Sequence, residues 1–167
     1  TWKKLTKGLP YEQGGETGRI GVTVYRSKPN IVYTIVEHAQ GGVFRSEDKG
    51  ESWTKMSDTN PRPMYYSQII IDPSNDQRIW VMGAPMYFSE DGGKTFRTNR
   101  VTRIHGDYHA MWINPTNSDH MIVGSDGGIH WSYDAGRTWD FVNTLALGQF
   151  YEIGFDWRKP YYICGGL

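Results

Sequence analysis

The segment His105-Gly106-Asp107-Tyr108-His109 places three ionisable side chains at alternate positions, and Asp126 follows a short interval later. Carboxylates and imidazoles act as general acids and bases, bind metal ions, or hold loop amides. On an extended strand, residues four apart are separated by about 13 Å, so His105 and His109 share no metal ion unless the segment bends. We therefore predict no metal site and no cofactor.

Acid–base chemistry is the stronger chemical hypothesis for this segment. A hairpin between 107–113 and 120–125 predicts Asp107 opposite Asp126, with Cβ atoms about 5 Å apart, near the carboxylate spacing of retaining glycosidases. His109 then shares the side of Asp107, and crowding of the two carboxylates keeps one protonated to higher pH. The alternative is structural: Asp126 shapes a turn before two glycines, while Asp107 and both histidines bind loop amides.

Aromatic residues accompany this polar segment at the starts of the predicted inner strands. They are Tyr65, Tyr66, Tyr108, Phe150 and Tyr151. Their rings either stack on a sugar or peptide, or fill the space between neighbouring sheets.

The sequence thus offers two sets of candidate residues. The candidate catalytic residues are Asp107 and Asp126. The predicted binding residues are His105, Asp107, Tyr108, His109 and Asp126.

An eight-residue motif recurs every 43 residues and indicates which elements position these side chains. It runs from Ser46 to Trp53, from Ser89 to Phe96 and from Ser132 to Trp139. In each copy we expect the Asp to accept backbone hydrogen bonds, the Gly to supply a positive φ, and the aromatic ring to pack between sheets. The predicted structural residues are Asp48, Gly50, Trp53, Asp91, Gly93, Phe96, Asp134, Gly136 and Trp139.

The repeat predicts an all-β fold made of β-propeller blades. Prolines that end apolar segments recur at a similar spacing, and each repeat contains four short strands without helical periodicity. A propeller closes with about 4–8 blades, so we expect residues 1–167 to be a part of one propeller domain in a longer chain. The predicted units are an outer strand at 1–5, three blades at 18–56, 65–98 and 107–142, and the start of another blade at 149–167.

The composition argues against several classes of partner. Lys and Arg total 18, as do Asp and Glu, so the net charge is zero and no nucleic-acid-binding surface is predicted. The sequence contains no apolar run of about 18 residues, so no membrane span is predicted. The single cysteine, Cys164, forms no internal disulfide.

The repeated Ser-x-Asp-x-Gly-x-Thr-Trp turns resemble those of the Asp-box (bacterial neuraminidase repeat) superfamily of sialidases, xyloglucan-hydrolysing glycosidases and sortilin-type receptors. The segments NIVYTIVEHAQGGVFRSEDKGESW and HMIVGSDGGIHWSYDAGRTW look most like the sortilin and xyloglucanase branch. This resemblance implies an extracytoplasmic protein, secreted or periplasmic. Sialidase activity is not expected, because Gly21 follows Arg19-Ile20 where the sialidase motif has proline, and no arginine occupies the equivalent positions of later blades.

Loops opposite the Asp-box turns are expected to carry the function, because loops on a rigid scaffold position binding residues. Aligning the repeats places Asp107 against Tyr65 and Asp126 against Ala84, so both aspartates are specific to one blade. We predict a non-catalytic binding or scaffold module whose partners are a protein or glycan and the remaining blades of its parent chain. The alternative is a glycoside hydrolase. Other residues expected on this face are His38, Arg62, Arg103 and Gln149.

Overall fold

The computed structural model describes residues 1–98, 104–144 and 152–166. Their regular structure is β, apart from a short 3-10 turn at Pro10–Gln13. No helix among these residues is long and apolar enough to span a membrane. The strands are β1 (Ile20–Val24), β2 (Val32–Val36), β3 (Gly42–Ser46), β4 (Thr54–Ser57), β5 (Ile69–Asp72), β6 (Asn75–Val81), β7 (Tyr87–Ser89), β8 (Arg97–Thr98), β9 (Tyr108–Ile113), β10 (Met121–Ser125), β11 (Gly128–Ser132), β12 (Asp140–Phe141), β13 (Glu152–Phe155) and β14 (Ile163–Gly166).

The first twelve strands form three four-stranded sheets with one topology. The first sheet has the order β1-β2-β3-β4, the second β5-β6-β7-β8 and the third β9-β10-β11-β12, while β13 and β14 form a two-stranded sheet. Within each sheet, every strand pairs antiparallel with the next strand in sequence, as in a propeller blade. The predicted all-β fold of four-stranded blades is confirmed.

Strand boundaries differ from the prediction where turns extend further along the chain. β5 begins at Ile69 rather than at residue 65, because Arg62 and Ser67 adopt positive φ angles of 42° and 47°. The fourth strand of each sheet begins just after the aromatic residue that ends the Asp-box motif, at Thr54, Arg97 and Asp140.

The hydrophobic cores lie between neighbouring sheets, so the blades stabilise one another by burying apolar surface. The first core joins Ile31, Tyr33, Ile35 and Val43 of the first repeat to Ile69, Ile71, Ile79 and Val81 of the second. The second core joins Trp80, Met82 and Met86 to Tyr108, Ile113, Met121, Val123 and Trp139 of the third repeat.

Each Asp-box turn is closed by hydrogen bonds within its own eight residues. In the first turn, the Ser46 hydroxyl donates to Asp48 Oδ1 at 2.7 Å and accepts from the backbone N–H of Gly50 at 2.8 Å. Asp48 also accepts from the backbone N–H and hydroxyl of Ser52, at 2.9 and 2.5 Å. The equivalent bonds in the other two turns are 2.6–2.9 Å long. Gly50 has φ 90°, a left-handed value that glycine adopts readily.

These hydrogen bonds change the acidity of the Asp-box carboxyls. The pKa values of Asp48, Asp91 and Asp134 fall from 3.8 to about 2. The largest cause is the hydroxyl of the Ser or Thr four residues later, followed by the backbone N–H of that residue. Because the carboxylate form accepts these bonds, each Asp is an ionised acceptor at neutral pH.

Candidate functional site

The β9–β10 hairpin carries the polar segment that the sequence singles out. The two strands pair one residue away from the predicted register, for example Met111 with Val123. The register then shifts and leaves His109 without a partner on β10, which is a β-bulge. Beyond the bulge, the backbone N–H of Asp126 donates to the carbonyl of Asp107 at 3.2 Å. The bulge therefore brings the backbones of the two candidate aspartates together.

Asp107 lies just before β9 and not within it. Its φ of 60° is in the left-handed region, which Asp tolerates better than most residues. Its backbone N–H donates to the carbonyl of Ala84, in the loop between β6 and β7 of the neighbouring sheet, at 3.1 Å. The strand alternation expected for residues 107 and 109 does not apply, because Asp107 is outside the strand and the bulge interrupts the pairing at His109.

Tyr66 contacts both Asp107 and His109 through different parts of its side chain. Its hydroxyl donates to Asp107 Oδ1, and its ring stacks on His109 with the centroids 5.5 Å apart. Burial, followed by the hydrogen bond to Asp107, raises the pKa of Tyr66 to about 12. Tyr66 therefore stays protonated at physiological pH and can keep one carboxylate oxygen of Asp107 occupied.

Asp126 has a separate partner, His109. The imidazole Nε2 lies 3.0 Å from Asp126 Oδ1, and the two side chains are 40% and 55% exposed. The ring of Tyr65 meets His109 edge-on at 5.8 Å, and the Arg62 guanidinium lies over Tyr65 at 5.1 Å. An accessible surface therefore offers an imidazole, a carboxylate, a phenol and a guanidinium. The name top-face cluster denotes Arg62, Tyr65, Tyr66, Asp107, His109 and Asp126.

The course of the strands places the top-face cluster far from the Asp-box turns. β9 begins at the cluster, and β11 runs from the loop beside Asp126 to the third Asp-box at the other end of the sheet. The cluster thus occupies the end of the sheets opposite the Asp-boxes, which is the end expected to carry binding loops.

His105 and Tyr108 lie outside the top-face cluster. His105 is exposed, with Nδ1 3.1 Å from the carbonyl of Gly106, and it packs so closely on Gly127 that a Cβ there would lie 2.3 Å from the His105 Cβ. Tyr108 is 3% exposed within the second core, so its ring fills space between sheets and is not presented to a ligand. Within the described parts of the chain, no three His, Cys, Asp or Glu side chains are placed to hold a metal ion.

Other residues expected on this face contribute less. His38 is held within the first repeat, with Nε2 3.0 Å from the carbonyl of Gly14 and Nδ1 accepting from the backbone N–H of Gln40 at 3.0 Å. Of the aromatic residues at the predicted inner-strand starts, Tyr66 is only 4% exposed, whereas Tyr65 is 52% exposed. Arg103, Gln149, Phe150 and Tyr151 lie outside the described residues.

The hydrogen bond between Tyr66 and Asp107 was not predicted from the sequence. The sequence indicated Tyr66 only as one of several aromatic residues at the inner-strand starts, and it predicted Asp126 as the partner of Asp107. A usable signal existed, because the two residues are 41 apart, close to one repeat, and equivalent positions of successive blades lie side by side.

Two GH74 enzymes and YCF48 are among the solved structures with similar folds. The match with the GH74 xyloglucanase from Xanthomonas campestris covers 99% of this chain and 29% of the xyloglucanase chain, with 15% identity and a TM-score of 0.61. The GH74 enzyme of Niastella koreensis matches 76% of this chain over 22% of its own, with 14% identity and a TM-score of 0.56. YCF48 from Cyanidioschyzon merolae matches 76% over 37% of its own chain, with 19% identity and a TM-score of 0.55. At these identities the similarity supports the fold alone.

Sequence comparisons identify the family. The VPS10 domain-containing receptor SorCS3 of Homo sapiens is 24% identical over 119 residues, and the mouse protein matches equally. These matches cover 67% of this chain and 10% of the curated relatives, so the chain spans about a tenth of their length. The family model Sortilin-Vps10, described as "Sortilin, neurotensin receptor 3", matches residues 41–156, more than half of the chain. The chain therefore belongs to the Sortilin-Vps10 family, with the Asp-box propeller fold that its sequence predicts.

Proposed function

We propose that this protein is a non-catalytic binding module that recognises a protein or glycan partner through the top-face cluster. The observation that carries the proposal is the separate engagement of the two aspartates. Asp107 accepts from the Tyr66 hydroxyl, whereas Asp126 faces His109 at 3.0 Å. In a retaining glycosidase both carboxyl groups, about 5–5.5 Å apart, act on one sugar. Two carboxylates with different partners suit a recognition surface better than an acid–base pair.

The chemistry of the cluster supports a protein or glycan partner. Tyr65 is a half-exposed ring on which a sugar ring or an apolar side chain can pack. Arg62, His109 and Asp126 surround it with donors and an acceptor for hydroxyl or amide groups. Aromatic and arginine residues of this kind dominate binding energies at protein interfaces.

The family supports a proposal for the cellular setting and the assembly. Its curated relatives are described as receptors, and we propose that this protein likewise acts outside the cytoplasm, secreted or periplasmic. The described sheets bury their cores against one another, so we propose that the remaining blades of a parent chain, or of a larger assembly, complete the propeller. Residues 18–56, 65–98 and 107–142 then serve as three consecutive blades within it.

Replacement of Tyr65 or His109 by alanine tests the proposed site. Each change removes a ring from the accessible surface, so we expect binding at this face to weaken about tenfold or more. Ligands that bind the wild-type protein are first selected from two sets of probes, xyloglucan oligosaccharides and linear peptides displayed on phage. The matched control is Tyr133→Ala, because Tyr133 is a 64% exposed tyrosine within an Asp-box turn at the other end of the sheet. Its loss should leave binding unchanged.

Two outcomes would contradict this proposal. If every selected probe binds the Tyr65→Ala and His109→Ala variants as tightly as the wild type, the top-face cluster is not the binding site. If the wild type releases reducing ends from xyloglucan, and Asp107→Asn or Asp126→Asn lowers that rate by orders of magnitude without unfolding the protein, the glycoside hydrolase hypothesis replaces the binding one.

A further inference from the structure

A groove of about 480 Å³ lies between the second and third sheets near the third Asp-box turn, away from the top-face cluster. Its size is within the range of small-ligand sites, about 300–1,000 Å³. Three arginines line it: Arg78 on β6, Arg97 on β8 and Arg137 in the Asp-box turn. This surface is separate from the site proposed above, and its chemistry is cationic.

The positive charge of this groove is only partly neutralised. Of the described residues that line it, Glu90 is the single carboxylate, and it pairs with Arg97. Arg78 Nη1 lies 3.5 Å from Oδ2 of the buried Asp72, outside the groove lining. Among the residues that the structure describes, Arg137 has no ion-pair partner. The groove thus presents guanidinium groups to solvent in excess over carboxylates.

The groove between the first and second sheets shows that this excess is not a general property of the repeat. That equivalent groove, of about 420 Å³, contains Arg45 and Lys94 together with Glu47 and Asp48, so its charges balance. Arg45 is also paired directly, at 2.5 Å with Asp76 and at 3.0 Å with Glu47. The same architecture therefore gives a neutral groove in one place and a cationic groove in the next.

Two differences between the repeats determine how Arg97 is held in the cationic groove. By alignment of the Asp-boxes, Phe88 replaces Arg45 and Arg97 replaces Thr54. The Phe88 ring packs on Trp80 at 4.8 Å and lies beneath the Arg97 guanidinium at 5.2 Å. The aromatic wall thereby supports Arg97 at the mouth of the groove by a cation–π contact.

We propose that this cationic groove binds an acidic peptide segment in an extended conformation. Planar guanidinium groups bind carboxylates bidentately, which favours a ligand with several side-chain carboxylates. Arg97 and Thr98 form β8, the edge strand of the second sheet, and an edge strand offers backbone hydrogen bonds to an added peptide strand. Glu90 and Phe88 favour a peptide of mixed character over a uniformly anionic polymer.

A short fluorescein-labelled peptide in which aspartate alternates with valine tests the proposal. Its binding to the protein is measured by fluorescence polarisation. Alternation places all carboxylates on one side of an extended strand. We expect Arg97→Ala and Arg137→Ala each to weaken binding about tenfold and Arg97→Lys to weaken it less, since lysine keeps the charge but loses the planar fork. The affinity should fall as salt is raised.

Matched controls separate a specific groove from general attraction. Lys94→Ala removes the equivalent positive charge of the neutral groove, and it should leave the affinity unchanged. The same peptide with asparagine in place of aspartate should not bind. Equal losses in Lys94→Ala and Arg137→Ala, or no loss in either arginine variant, would overturn the proposal. Tighter binding of dextran sulfate than of the acidic peptide would assign the groove to an anionic polysaccharide instead.

Discussion

Replacement of Trp80 by alanine is expected to lower the free energy of unfolding by about 3–5 kcal/mol. Trp80 is 2% exposed in the second core, where the second and third sheets meet. Its ring also contacts Phe88, with the centroids 4.8 Å apart. Alanine leaves a cavity between two sheets whose backbones are fixed by strand pairing, so little of the space can be refilled. Urea denaturation followed by circular dichroism measures the loss.

The control for this experiment is Tyr65→Ala. Tyr65 is also aromatic, but it is 52% exposed, and its replacement removes only edge-on contacts with Tyr66 and His109 and the cation–π contact with Arg62. We expect a cost of about 1 kcal/mol. Equal losses in the two variants would show that the contact between the second and third sheets contributes no more stability than a surface contact.

Acid is expected to destabilise the protein through its Asp-box turns. The pKa values of Asp48, Asp91 and Asp134 are about 2 in the folded chain and 3.8 ordinarily. Because the folded state holds these protons less tightly than the unfolded state, the stabilisation is complete above pH about 4 and is lost as the pH falls toward about 2. Urea midpoints measured across this interval should decrease steeply.

A triple variant isolates the contribution of the three turns to this pH dependence. With D48N, D91N and D134N combined, each side chain keeps one oxygen acceptor but no longer titrates. We expect lower stability at pH 7 and a flatter dependence between pH about 4 and 2 than in the wild type. Equal slopes for the two proteins would mean that other carboxyls cause the acid sensitivity.

The sheets could be predicted from the sequence because their signals are local. Ser46, Asp48, Gly50 and Ser52 close their turn with bonds between residues at most four apart. Such a turn requires the same residue types wherever it occurs, so it remains visible in each repeat. The same reasoning explains why the strand order was predictable, since each strand pairs with its neighbour in sequence.

The candidate site was less predictable because its contacts join different sheets. The bulge at His109 depends on how Asp107 and Tyr108 bond to the carbonyls of Ala84 and Gly83, and no hairpin rule includes that neighbouring loop. The contact of Tyr66 with Asp107 likewise depends on the packing of the second sheet against the third. Pairing between β9 and β10 could be anticipated to within one residue, but the packing that assigns each carboxylate its partner could not.

The local side-chain hydrogen bonds of the Asp-box have a consequence for how such chains change during evolution. The Ser and Asp side chains that close a turn find their partners within its eight residues, so duplication of one repeat copies these bonds together. The surfaces between blades are under no such constraint: Arg45 is held by Asp76, whereas Phe88 at the equivalent position supports Arg97. Gene duplication can therefore lengthen the chain while each new junction between blades diverges independently and acquires its own ligand.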